Sequence, residues 1–226
     1  MTATGIGRRS ILAMGAAAAL PAPSLAQDMR AQTLRFVPQA NLSVLDPVFT
    51  TATVTGNHGW HVFDTLYGVD AELKPKPQMA EGAEALDDGK RWRITLRPGL
   101  RFHDGEPVRA RDCIASLKRW CAREPYGQLL ARQVDEWRAV DDRTLEIRLK
   151  RAFPLLLDAL AKPDAAVPFI MPERLAETDP NRGVTEMIGS GPFRFKADER
   201  VPGSLNVYTK FERYVPRQGG GSGWTS

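Results

Sequence analysis

The chain has 226 residues, with 31 lysines and arginines against 27 acids and a formal net charge of +4. The excess is small and evenly spread, which argues against a nucleic-acid-binding surface. Residues 1–26 hold two arginines and no acid, so the remainder carries about +2 and reads as an ordinary solvated surface.

Residues 1–26 read as an export signal. Arg8 and Arg9 precede an apolar run over residues 11–20, and Ser24-Leu25-Ala26 offers the small residues that a signal peptidase selects. The run is shorter than the roughly 20 residues of a membrane span, and no later stretch is long and apolar enough for one. Arg8-Arg9-Ser10-Ile11-Leu12 is similar to the core of a twin-arginine signal, although no lysine follows; an ordinary Sec signal is the alternative. Cleavage after Ala26 is expected. It would expose Gln27 rather than a cysteine, so no lipid anchor is expected at that end and the product should be free in the periplasm.

Cys113 and Cys121 lie eight positions apart on one expected helix, about 12 Å along its axis, which is too far for a disulfide. Both are expected to be core thiols. His58, His61 and His103 are the only histidines. Without a cysteine pair or an evident third ligand beside His58 and His61, no metal or other cofactor is expected.

In chain order, Leu34-Arg35-Phe36 alternates and predicts a first strand, followed by a polar loop over residues 41–55. Trp60, Phe63, Leu66 and Tyr67 recur at helical spacing and predict a helix over residues 56–67. Trp92, Ile94 and Leu96 alternate with Arg91, Arg93, Thr95 and Arg97, the pattern of a half-buried strand, and Pro98-Gly99 turns the chain. Ile114, Leu117 and Cys121 predict a helix over residues 111–122, stopped by Glu124-Pro125. Residues 137–140 and Leu145, Ile147 and Leu149 predict a hairpin. A short helix is expected over residues 154–160, a loop with three prolines leads into residues 173–177, and Phe193-Phe195 and Leu205-Val207 predict two more strands. Trp92, Trp120 and Trp137 are expected in the core. Strands clustered among interspersed helices give an α+β (mixed α/β) class. Residues 218–226, rich in glycine and serine, read as a loop-like tail.

Several stretches together resemble the family 5 extracellular solute-binding proteins, the dipeptide-, oligopeptide- and nickel-binding components of bacterial ABC importers. Leu45-Asp46-Pro47, Phe49-Thr50-Thr51 and Phe63-Asp64-Thr65-Leu66-Tyr67 are similar to the family's opening. The run DGKRWRITLRPGLRFHDGEPVRARDCIASLKRW, from Asp88 to Trp120, and Gly189-Ser190-Gly191-Pro192-Phe193 follow in the family's order and spacing. The resemblance covers most of residues 33–217. Arg109 and Arg111 depart from it, because the start of the helix then lacks a hydroxyl cap and an early acid, which bears on local stability.

The resemblance implies a periplasmic binding protein-like fold (type II, cluster C). Family members exceed twice this length, so residues 27–217 are expected to be the N-terminal part of the first lobe with its extra subdomain. It implies a two-lobed clamp that closes on a small-molecule or peptide solute and docks on an inner-membrane ABC permease complex, as a monomer and without covalent chemistry. By position in the family pattern, Phe49, Thr50, Thr51, Tyr126, Gly127, Gln128 and Asp164 are expected to border the cleft. The carboxylate that holds a peptide amino terminus lies on the family's second lobe, so little affinity is expected of this stretch alone. Two rivals are a secreted hydrolase and a structural or chaperone-like periplasmic module. The first is disfavoured because Gly189-Ser190-Gly191-Pro192 lacks the spacing of a nucleophile elbow.

Overall fold

A computed structural model describes residues 33–217. The expected signal, its expected cleavage site and the Gly/Ser-rich stretch over residues 218–226 lie outside these residues. In chain order, helix α1 (Thr53–Val62) leads into strands β1 (Asp64–Thr65), β2 (Tyr67–Val69), β3 (Pro75–Pro77), β4 (Ala80–Leu86) and β5 (Arg91–Leu96). Helices α2 (Ala110–Arg123) and α3 (Pro125–Gln133) follow, then β6 (Val134–Ala139), β7 (Thr144–Leu149), α4 (Leu156–Leu160), β8 (Phe169–Ile170) and α5 (Glu173–Ala176). Strands β9 (Phe193–Phe195) and β10 (Tyr208–Lys210) flank a 3-10 turn at Ala197–Glu199.

The largest sheet is antiparallel, in the order β4-β5-β7-β6. Its register pairs Trp92 with Ile147 and Ile94 with Leu145, and Trp137 with Ile147. The alternation in β5 therefore places Trp92, Ile94 and Leu96 on one face, with Ile94 and Leu96 fully buried. On the other face Glu146 is ringed by arginines, with Arg93 Nε at 2.9 Å and Arg148 Nε at 3.2 Å. Burial acts to raise the Glu146 carboxyl; the hydrogen bonds from Arg93 and Arg148 and the charge of Arg91 outweigh it and hold it below its usual value.

Helix α2 buries Cys113, Ile114, Leu117, Trp120 and Cys121. Both cysteines are free thiols, and burial pushes that of Cys121 up to about 12 and that of Cys113 higher still. No hydroxyl caps α2 at Arg109; the Ala110 N–H donates instead to the Asp142 carbonyl at 2.8 Å, while Asp112 supplies the reciprocal half of a capping box, its Oδ2 accepting the Arg109 backbone N–H at 2.8 Å and its Oδ1 that of Glu173 at 2.8 Å. One carboxylate thus ties the start of α2 to the start of α5.

Three sequence expectations are corrected, and two elements went unread. Leu34-Arg35-Phe36 forms no strand; Leu34 and Phe36 are exposed. The helix expected over residues 56–67 ends at Val62, and Phe63, Leu66 and Tyr67 are buried on extended chain instead. The last strand is β10 rather than Leu205-Val207, because residues 201–205 close on themselves through a Val201–Leu205 bridge. Helix α3 and strand β4 carry no clear period: Ala80–Leu86 is mostly alanine and glutamate on an edge of the sheet.

Candidate functional site

Asp46 is the anchor of the loop before α1. Its Oδ1 accepts the Val48 N–H at 2.9 Å, and its Oδ2 accepts the Val184 N–H at 3.0 Å and Arg119 Nη2 at 2.7 Å. Arg119, on α2, also donates to the carbonyls of Thr178 (2.5 Å) and Arg182 (2.8 Å). Both side chains of the pair are 1% exposed. Buried charges persist only when paired and hydrogen-bonded, and nearly every polar atom here is satisfied. The pair seats the segment Phe49-Thr50-Thr51 against α2, where the Arg123 guanidinium lies 4.7 Å from the Phe49 ring centre and donates to the Phe49 carbonyl.

Thr50, Thr51 and Asp164 converge on one surface depression, where Asn57 and Trp60 of α1 and Phe169 of β8 complete the wall. Trp60 is 39% exposed and packs edge-to-face on Phe169, with ring centres 4.9 Å apart. Gly59 permits this approach, because a Cβ there would lie 2.6 Å from the Phe169 ring. The depression offers hydroxyls, an amide, a carboxylate and an aromatic face, the mixture that orients a polar solute while covering its apolar parts. Its cavity volume is about 30 Å³, far below the roughly 300–1,000 Å³ of an enclosed small-molecule pocket. It is a wall and not an enclosed pocket.

The Asp164 loop is strained. Ala165 and Ala166 are consecutive residues at φ of 52° and 63°, a conformation that costs a residue with a Cβ about 1–2 kcal/mol. Trp120 Nε1 donates to the Ala166 carbonyl at 2.6 Å, and Asp164 Oδ1 accepts the Ala165 N–H at 2.7 Å.

Tyr126, Gly127 and Gln128 lie on the first turn of α3 and do not line the depression. Glu124 caps that helix by accepting the Gly127 N–H at 2.7 Å, and a Cβ on Gly127 would meet the Cys121 backbone at 2.8 Å. The Tyr126 ring packs against Phe153. Phe49 adjoins the depression in the chain without lining it. Sequence reasoning missed Asn57 and Trp60. Trp60 reads as part of an apolar stripe with Phe63, whereas α1 buries Val54, Thr55, His58, Gly59 and Val62 and turns Trp60 outward.

Two turns that carry the family resemblance prove to be one joint. The His103 backbone N–H donates to the Gly189 carbonyl at 2.8 Å, and His103 Nε2 lies 2.9 Å from the Gly191 carbonyl. Gly191 N–H donates to the Val62 carbonyl at the end of α1. His103 therefore works as a structural clasp. His58, buried on α1, meets the Tyr208 hydroxyl through Nδ1 at 2.7 Å, while its Nε2 has no partner. Burial, aided by the nearby charges of His61 and Arg200, lowers its pKa to about 3. Asp64, beside the same helix end, is pushed up to about 6 by burial, against hydrogen bonds from the Thr65 N–H and Gln78. Among the described residues no three His, Cys, Asp or Glu side chains gather as metal ligands would, and no helix is long and apolar enough to cross a membrane.

The fold matches part of the periplasmic binding protein fold. The dipeptide-binding protein of a Pseudoalteromonas species, solved with Met-Leu, superposes at a TM-score of 0.65 with 22% identity, over 78% of this chain and 39% of its own. The family described as bacterial extracellular solute-binding proteins, family 5 Middle, matches residues 74–222, and the chain belongs to that family. A probable peptide ABC transporter periplasmic-binding protein of Sinorhizobium fredii is 41% identical over 94% of this chain and 40% of its own length. The glutathione-binding protein of Salmonella typhi is 30% identical over 84% of this chain and 36% of its own. The chain thus spans about two fifths of the length of these relatives.

Proposed function

We propose that this chain supplies one wall of a solute-binding cleft and serves a bacterial ABC importer by capturing a peptide-like solute in the periplasm. One observation carries the reading: Thr50, Thr51 and Asp164, distant in sequence, share a depression with Asn57 and the half-exposed Trp60. Relatives named for peptide transport and glutathione binding support the solute class. The small volume supports a wall that needs a second surface over it, since an open face leaves polar contacts in competition with water. Capture by closure requires no reacting group, which fits a wall of hydroxyls, an amide and an aromatic ring. Export through the signal at residues 1–26, action as a monomer and docking on an inner-membrane permease belong to the same proposal.

The test is a hybrid in which residues 38–217 replace the matching part of the Sinorhizobium relative, titrated calorimetrically with dipeptides, oligopeptides and glutathione. Saturable heat is expected with at least one of these. Trp60→Ala in the hybrid is expected to weaken binding about tenfold or more, the scale of a lost aromatic anchor, with little change in melting temperature. A folded hybrid that gives no heat with any member of the panel rejects the reading.

A further inference from the structure

Lys162 stands outside the depression, yet its ammonium group is the point on which the depression's strained loop is hung. It donates to the main-chain carbonyls of both Asp164 and Ala165. It also lies 3.4 Å from Glu124 Oε1, and neither side chain is much exposed. The other Glu124 oxygen accepts the Gly127 N–H and so is fixed by the α2–α3 junction. The left-handed pair Ala165-Ala166 thus sits in a run of three held carbonyls, those of Asp164 and Ala165 on Lys162 and that of Ala166 on Trp120.

We propose that Lys162, backed by Glu124, is a positioning residue for the candidate solute wall: its ammonium group clamps the Asp164 and Ala165 carbonyls and so keeps the Asp164 carboxylate at the rim of the depression. A backbone of two left-handed alanines relaxes unless the surroundings over-determine it. Three ammonium protons match the three acceptors present, two carbonyls and one carboxylate oxygen. The arrangement gives the α2–α3 junction, with Gly127 at its centre, a role at the cleft without contact to any solute. The inference rests on the proposed function for its purpose, but the clamp itself is measurable without a solute.

The experiment compares the full chain with Lys162→Met, Lys162→Arg and Glu124→Gln by amide hydrogen exchange over residues 164–167, the stretch between Pro163 and Pro168, and by thermal melting. Glu124→Gln keeps an acceptor for Gly127 while removing the charge beside Lys162. Lys162→Met is expected to speed exchange in that segment about tenfold or more, with exchange in α2 and the sheet nearly unchanged; the unpaired Glu124 carboxylate lowers the melting temperature without erasing that contrast. Lys162→Arg is expected to restore most of the protection, and Glu124→Gln to lie between. Unchanged exchange in Lys162→Met, or acceleration spread equally through α2 and the sheet, overturns the proposal, the second because it makes Lys162 a general support of the fold. A second arm places Lys162→Met in the hybrid and titrates the solute that binds it: at least tenfold weaker binding is expected. Loosening of the loop without weaker binding would overturn the link to the cleft. A hybrid that binds no solute in either form sinks the proposed function and leaves the clamp to be judged on exchange alone.

Discussion

At the scale of single residues, His58 and Asp64 are buried ionisable groups whose pH effects oppose each other. The folded chain keeps His58 neutral down to about pH 3, whereas an unfolded chain takes up that proton below about 6.5. Its contribution to stability is therefore full above about 6.5 and is lost as pH falls towards 3. Asp64 is protonated in the fold up to about pH 6, so its contribution is present at low pH and lost as pH rises through that value. Between about pH 4 and 6 the two slopes oppose each other. Substitution of either residue should uncover the other's slope. A tenfold difference in proton affinity between folded and unfolded chain is worth about 1.4 kcal/mol. Relative to the parent chain, Asp64→Asn should therefore gain up to about 3 kcal/mol as pH rises from 4 to 6, and His58→Phe should gain up to roughly 5 kcal/mol as pH falls from 6.5 towards 3. Urea midpoints across that range measure both, and parallel profiles for parent and variants would reject the assignment. Neither residue was legible as a buried group: in the sequence His58 stands out only for lying three residues from His61, and Asp64 only as part of the Phe63-Asp64-Thr65-Leu66-Tyr67 resemblance.

At the scale of elements, the joint between α1 and the turn before β9 depends on two glycines. A Cβ at Gly189 would lie 2.1 Å from the Val62 carbonyl oxygen, and one at Gly191 would lie 2.7 Å from that of Phe63. These neighbours are backbone and cannot rotate aside. Gly189→Ala is expected to cost at least about 3 kcal/mol of unfolding free energy in urea titration, at the upper end for single substitutions. Gly56, within α1, has open space where a Cβ would sit, so Gly56→Ala should stabilise by about 0.5–1 kcal/mol through helix propensity alone. Equal effects of the two alanines would show that close approach is not what the joint requires. The periodic elements were readable, β5 and α2 most clearly, because one face of each is apolar at the right period. β4 and α3 were not, since an edge strand of alanines and a helix begun by proline directly after another helix leave little periodic signal.

At the scale of the molecule, the Asp46–Arg119 pair joins the loop before α1, helix α2 and the segment around residues 178–184. Arg119→Met should destabilise the chain by about 3–5 kcal/mol, because it leaves a buried carboxylate without its counter-charge, and Asp46→Leu combined with Arg119→Met should recover much of that loss. Urea titration of the two single variants and the double variant measures this. A double variant as unstable as the sum of the singles would show that the two residues are not coupled.

The sequence by itself determined the periodic framework, the helix interrupted at Glu124-Pro125, the buried unbridged cysteines and the resemblance to a family, since each depends on local spacing along one chain. Only the tertiary structure decided which candidate residues meet. Thr50, Thr51 and Asp164 share a depression, and Tyr126, Gly127 and Gln128 lie on α3 outside its lining. That division depends on where buried charges find partners and where backbones approach closest, and those distances are set by contacts between segments distant in the chain, 73 residues apart for Asp46 and Arg119 and further for Thr51 and Asp164.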